Sequence, residues 1–401
     1  MSVPLSSPLP EGVPRASFAN TVPLRCPPMP APLIADVFAE TKLDALLEPV
    51  ALPVDARSIA DAVRALVAAW PELPPPGAGA TLERWRRLAM LAGRDLSLAK
   101  IYEAHADALA ILAELDAGRL AELDGRGAVW AVWAARGPDG EPLAARLEGE
   151  RATLSGTKAW CSGAPFTTHA LVTCLDADGG ERLAALPLDQ PGVTVSSRGW
   201  EAVGMQATLS VEVRLTGARA TLVGEPGDYV RRPGFWHGAA GIAACWYGAA
   251  AALAARLRDT SVRRDEAAKA AEGRLADRPG AASAEAARTD ARAYLRAHLG
   301  ATDAALAGAR ALLHETAREI DAAPRADAQR LALRVRAATE AAAEVTLRAC
   351  GRGLGAAPLC RDRWFARMAA DLPVFVRQSH AESDLAALGA IHASNPDDWS
   401  L

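Results

Sequence analysis

The chain is short of lysine, short of aromatic residues, and has no closely spaced cysteines. Only four of its 44 cationic residues are lysine (Lys42, Lys100, Lys158, Lys269), so arginine carries nearly all the positive charge. Set against 48 acidic residues, this leaves a net charge of −4, too weak a field to steer a polyanion, and nucleic acid is not an expected partner. The six cysteines (Cys26, Cys161, Cys174, Cys245, Cys350, Cys360) form neither a CxxC nor a His/Cys cluster. Metal centres and thioredoxin-like redox chemistry are therefore not expected; reduced, buried thiols in a cytoplasmic protein are. No GxGxxG follows a strand-like run and no GxxxxGK[ST] occurs, which argues against the common dinucleotide and P-loop sites. No basic stretch leads into an apolar run near Met1, so residues 1–33 read as a Pro-rich arm rather than a signal peptide.

What is present is a chain of 401 residues, 50% hydrophobic, long enough for two or three packed units. Its ten tryptophans equal its tyrosines and phenylalanines together, although aromatics make up only 5% of residues. Gly238 to Ala255 is uncharged and long enough to span a membrane, but it is built of Ala and Gly rather than Leu, Ile and Phe. It reads as a helix buried in protein, and no membrane span is expected.

Apolar residues recur at three- and four-residue steps in Ile59 to Trp70, Leu82 to Leu91 and Ile101 to Leu115, giving an N-terminal helical domain over 34–127. The pattern then changes to short runs bounded by Gly, Pro and Asp, among them Ala128 to Ala135, Ala170 to Leu175, Leu183 to Leu188 and Ser210 to Leu215. These predict an antiparallel β-domain over 128–232. Helical periodicity resumes in Gly238 to Leu257, Ala284 to Ile320, Ala326 to Cys350 and Asp362 to Ile391, a C-terminal helical bundle over 233–392 followed by a tail, 393–401. The charged stretch Asp259 to Ser283 reads as a connector. The fold class is α+β, and helices and strands that do not alternate exclude a doubly wound parallel sheet.

Three segments carry a family signature. Leu154-Ser155-Gly156-Thr157-Lys158-Ala159-Trp160-Cys161-Ser162-Gly163-Ala164, with Gly204-Met205-Gln206-Ala207-Thr208 some forty residues later, resembles the β-domain of the acyl-CoA dehydrogenases. Cys350-Gly351-Arg352-Gly353-Leu354-Gly355 is similar to the glycine-rich turn of that family's C-terminal four-helix bundle. The resemblance covers roughly Thr81 to Ile391. It implies FAD held between β-domain and bundle, an acyl thioester substrate, an electron-transfer flavoprotein or oxygen as electron acceptor, and a homodimer or homotetramer. Trp160 and Ser162 match the family's flavin contact, and strand alternation would set indole and hydroxyl on one face. Gly353 and Gly355 match a close approach to the cofactor, or equally a helix C-cap and turn.

The departures matter as much. Trp133 stands where the family has a flavin-facing Thr, and the family's Gly-Ser-Asp and Arg-x-Phe-Gly runs are missing. The family's catalytic Glu, which takes the α-proton while hydride leaves the β-carbon, falls on Gln378 or Ser379, neither of them a base. Glu382 is the nearest carboxylate. In a helix Arg377, His380 and Asp384 would share a face, as a poised His in a flavin cleft or as a surface ion-pair trio. His105-Ala106-Asp107 reads more simply as packing, whereas Gly234-Phe235-Trp236-His237, at the entry to the bundle, reads either as lining for a substrate cavity or as core packing at the domain junction. Three functions fit: an FAD-dependent acyl thioester dehydrogenase with Glu382 or His380 as base, a flavin monooxygenase of the same fold, and a non-catalytic oligomer that keeps the fold.

Overall fold

The fold is that of a computed structural model in which residues 37–116, 127–137, 142–272, 281–394 and 399 are described. The expected arm 1–33 lies outside these residues, as does much of the expected tail. The N-terminal helices are α1 (Val37–Leu47), α2 (Ile59–Ala69), α3 (Thr81–Arg94) and α4 (Leu96–Leu115). Helix α4 begins where it does because Asp95 caps it: one carboxylate oxygen accepts the Leu98 N–H at 2.9 Å and the other the Val54 N–H at 2.8 Å. The cap is buried, and burial pushes the Asp95 carboxyl from 3.8 up to about 6 against those two hydrogen bonds. The folded chain thus holds this proton more tightly than the unfolded chain does, so the group's contribution to stability is full below 3.8 and is lost as pH rises to about 6. Chemical denaturation between pH 4 and pH 7 should show this fall, and Asp95→Ala, though less stable throughout, should lack it; an equal fall in both proteins would contradict the assignment.

The β-domain contains β1 (Trp130–Trp133), β2 (Ala144–Glu148), β3 (Arg151–Cys161), β4 (His169–Leu175), β5 (Glu181–Pro187), β6 (Val193–Val195) and β7 (Val211–Val223). The pairings run β4–β2–β3–β7–β5 and return to β4, so the sheet closes on itself, with β1 added to β4 and β6 to β7. Closure leaves few free edges. Leu154, Val172, Ala184, Leu186 and Val213 fill its interior. The sheet is mixed rather than wholly antiparallel, because β4 pairs in parallel with both β1 and β2.

The C-terminal helices are α5 (Pro233–Glu272), α6 (Ala281–Ala322), α7 (Gln329–Leu354), α8 (Ala356–Arg361), α9 (Arg363–Val376) and α10 (Glu382–Ala393). Helix α5 holds the Gly238 to Ala255 stretch and packs on α3, α6 and α7. It is long and apolar enough to cross a membrane, but 78% of its apolar window is buried inside the protein. The connector expected over 259–283 is corrected in its first half, because α5 continues unbroken to Glu272. Its charges form a solvated helical face, with Asp265 paired to Arg296 of α6 at 2.9 Å; residues 273–280 lie outside the described ones. The helix expected over 362–391 is also broken. It stops at Val376, Ala381 takes φ +46°, and α10 starts afresh at Glu382. Cys161, Cys174, Cys245 and Cys350 are buried, with burial pushing each thiol up, whereas Cys360 is exposed.

Candidate functional site

The site is built first from the end of β3. Pairing with β7 shifts register once between Leu154 and Ser155, and breaks again after Lys158–Val213, resuming only at Cys161–Val211. In that irregularity Trp160 takes φ +56°, a left-handed conformation that a bulky residue adopts only when its surroundings impose it. Strand alternation is lost at this point. Cys161 enters the β-domain core, and the Trp160 indole turns outward, 47% exposed. Ser162 lies in the turn that follows, where the Gly163 N–H reaches the Thr208 carbonyl at 2.8 Å. Gly163 has φ +76°, and a Cβ there would sit 3.2 Å from Ile101 of α4, so the turn lies close against that helix.

Trp133, expected from the resemblance at a flavin-facing position, does not face outward. It is buried in the β-domain, and its indole N–H donates to the Ser162 carbonyl at 3.1 Å, supporting the turn from behind. Beside it Lys158 is buried with the Thr173 hydroxyl 2.9 Å from its amine, and burial holds that amine below its usual range.

The loop at Gly204 to Thr208 joins this turn to the bundle. Gly204 lies so close to α9 that a Cβ would fall 2.0 Å from the Ala370 carbonyl oxygen. The Met205 N–H donates to Asp371 at 2.5 Å, and Asp371, itself buried, also receives Arg367 at 2.8 Å. Thr208, Ser210 and Ser162 form a continuous hydroxyl line, with oxygens 2.7 Å and 2.8 Å apart. Sequence patterning alone does not mark Asp371 or Ser210 as site residues. Ser210 has a local signal, two residues past the Gly204 to Thr208 motif; Asp371 has none, because its partner is 166 positions away.

The turn after α9 holds the two residues expected to be catalytic. His380 is 80% exposed; its Nδ1 lies 3.4 Å from Asp384, and its backbone N–H donates to the same carboxylate at 3.2 Å. Glu382 is exposed at the start of α10. Arg377 does not join them, because the helix has already ended; it pairs with Glu340 of α7 instead. The residue that fixes the turn is Arg336 of α7. Its buried guanidinium donates to the carbonyls of Gln378 at 2.8 Å and Ala239 at 3.2 Å, lies 3.6 Å from Asp384 and stacks over Trp246.

The glycine-rich turn lies elsewhere. A Cβ at Gly353 would meet Leu257 and Leu295 of the neighbouring helices, and Gly355, at φ +70°, ends α7 with nothing around it. Gly353 thus lets α7 pack closely on its neighbours, and Gly355 supplies the positive-φ residue at its C-terminus. His105 is buried and accepts the Trp130 N–H at 3.2 Å, tying α4 to β1. Phe235 and Trp236 pack edge to face at the entry to α5, and His237 is buried beside them. Among the described residues no group of His, Cys, Asp or Glu has the arrangement of a metal site.

Residues 139–218 match the family model of the acyl-CoA dehydrogenase middle domain. No curated protein matches the chain by sequence. Solved structures share its fold across nearly its whole length. Indole-bound TdsC from Paenibacillus sp. A11-2 superposes with a TM-score of 0.67 at 17% identity, covering 88% of this chain and 94% of that one. TdsC is a dibenzothiophene monooxygenase, and another of its structures holds FMN with indole. Butyryl-CoA dehydrogenase from Megasphaera elsdenii gives a TM-score of 0.67 at 13% identity over 90% of this chain and 99% of that one. KijD3 in complex with dTDP gives 0.64 at 19% identity, over 89% and 96%. Identities this low speak to the fold and leave the chemistry to the residues.

Proposed function

We propose, from the premise that this chain is a divergent member of the acyl-CoA dehydrogenase superfamily, that it is a flavin-dependent oxidoreductase with its isoalloxazine site at Trp160 and Ser162. The observation that carries this reading is the exposed Trp160 indole, held outward by a backbone conformation that a tryptophan does not adopt unaided. An outward indole two residues before a hydroxyl-bearing turn suits a flavin ring, whose flat face is apolar and whose N5 and O4 edge is polar. When bound, a flavin would supply a hydride acceptor, with FAD the form that the family resemblance favours.

For α,β-dehydrogenation of an acyl thioester, His380 takes the α-proton on Nε2, since Nδ1 faces Asp384. Arg336 holds Asp384 and the Gln378 carbonyl in place, so the imidazole is presented by a fixed turn. Glu382 is the alternative proton acceptor, one residue beyond Ala381. An electron-transfer flavoprotein or oxygen would then take the electrons, in a cytoplasmic homodimer or homotetramer.

A second reading, oxygenation by a flavin monooxygenase, draws on a specific observation. Where the family's carboxylate base belongs, this chain has Gln378, with its carbonyl bound by Arg336, and Ser379. The visible spectrum of the purified protein with FAD or FMN, before and after anaerobic addition of acyl-CoAs, separates the readings. Dehydrogenation bleaches the flavin; oxygenation leaves it unbleached and shows instead as oxygen uptake with an external flavin reductase. A protein that binds neither flavin sinks both.

A further inference from the structure

We infer that the hydroxyl line behind Ser162 makes the site select reduced over oxidised flavin, an inference that rests on the flavin reading above. The line has a direction. Thr208 donates its hydroxyl proton to the Met205 carbonyl at 2.8 Å. A carbonyl can only accept, so in this pair the proton is the hydroxyl's; the Thr208 N–H at 3.0 Å and the Trp200 indole at 3.2 Å share the same oxygen. With its single proton engaged there, Thr208 accepts from Ser210 across 2.7 Å. Ser210 has then used its own proton and accepts from Ser162 across 2.8 Å. The Ser162 proton therefore points inward along the line, and the oxygen offers lone pairs outward.

Thr208 and Ser210 are buried, so bulk water cannot stand in for either link. Reversing the line turns all three hydroxyls and takes the Thr208 proton away from the Met205 carbonyl. Consecutive hydroxyl bonds polarise one another, which further favours a single direction.

The two redox states of a flavin differ at the atom this oxygen would face. Oxidised N5 is a bare acceptor; the two-electron-reduced ring carries an N5–H donor. An outward acceptor at Ser162 complements only the donor. Binding the oxidised ring requires the reversed line and sacrifices about one neutral hydrogen bond, roughly a fivefold to tenfold loss in affinity. For a two-electron couple, that preference raises the potential of the bound flavin by about 20 to 30 mV over the free one.

The test is an anaerobic titration of the full chain with FMN and with FAD, each oxidised and dithionite-reduced, by fluorescence and by equilibrium ultrafiltration. The wild type should bind the reduced form about fivefold to tenfold more tightly. Ser210→Ala frees the Ser162 proton to point outward, and Thr208→Val removes the carbonyl end of the line. In both, the ratio should fall to about one, whereas Thr208→Ser should keep it and guards against a folding defect in Thr208→Val. A ratio that survives in Ser210→Ala and Thr208→Val overturns the inference while leaving the flavin reading intact. If neither flavin binds in either state, or if Ser162→Ala changes neither affinity, the flavin site itself is misplaced and the inference falls with it.

Discussion

Gly204→Ala should be the most damaging single methyl in the described chain outside the helix cores. Its added carbon would lie 2.0 Å from the Ala370 carbonyl oxygen and 2.7 Å from the carbonyl carbon, both backbone atoms of α9 that no rotamer change can move. Over-packing commonly costs about 1 to 3 kcal/mol, and contact with backbone places this case at about 3 kcal/mol. The loop and α9 must part, and parting them breaks the bond from Met205 to Asp371 that joins the β-domain to the bundle. Denaturant unfolding should show the loss, and flavin affinity should fall with it because Met205 anchors the loop behind Ser162. A variant with wild-type stability would mean that Gly204 does not touch α9 in solution.

Trp160→Ala separates binding from stability in the opposite way. The indole is nearly half exposed and its removal opens no core cavity, so the melting temperature should change little. Stacking of an aromatic side chain on a nitrogenous ring contributes about 1 to 3 kcal/mol by alanine substitution, so flavin affinity should drop about fivefold to 150-fold. Trp160→Phe should recover much of it. Unchanged flavin affinity in Trp160→Ala would place the ring somewhere other than against this indole.

The motifs around Trp160 and Gly204 are legible in the sequence because glycines and turn residues act locally, and such turns recur across a fold. The direction in which Trp160 points is not legible. Alternation along β3 would put indole and hydroxyl on one face, but the register irregularity between Lys158 and Cys161, set by pairing with β7, turns the indole out. Spacing alone identifies the His380–Asp384 pair, which survives the helix break because α10 restarts between its members. Arg377 lies on the far side of that break and finds Glu340. Trp133 is legible as a departure from a family pattern; its use as a prop for the Ser162 carbonyl depends on a neighbour 29 positions away. Arg336, which fixes the turn, reads in sequence as one more arginine among forty. Residues 259–272 are charged as a loop would be, yet good helix formers between the charges allow α5 to continue.

The contacts of α9 also bear on the order in which this protein is made. The Trp364 indole donates to the Arg94 carbonyl at 2.9 Å, across 270 positions, and Asp371 reaches back to Met205 and, at 3.4 Å, to Ser97. On the ribosome, the N-terminal helices and the β-domain therefore emerge long before the element that seals them together. Until residue 376 has left the exit tunnel, Arg94 lacks its cap partner and the Met205 loop lacks its anchor. The nascent chain must keep those surfaces from aggregating through most of translation, a situation in which chaperones commonly act. Ribosome-stalled chains ending near residue 350 should be cut readily by protease at the Gly204 loop, and chains extended past the end of α9 by the length of the tunnel should resist.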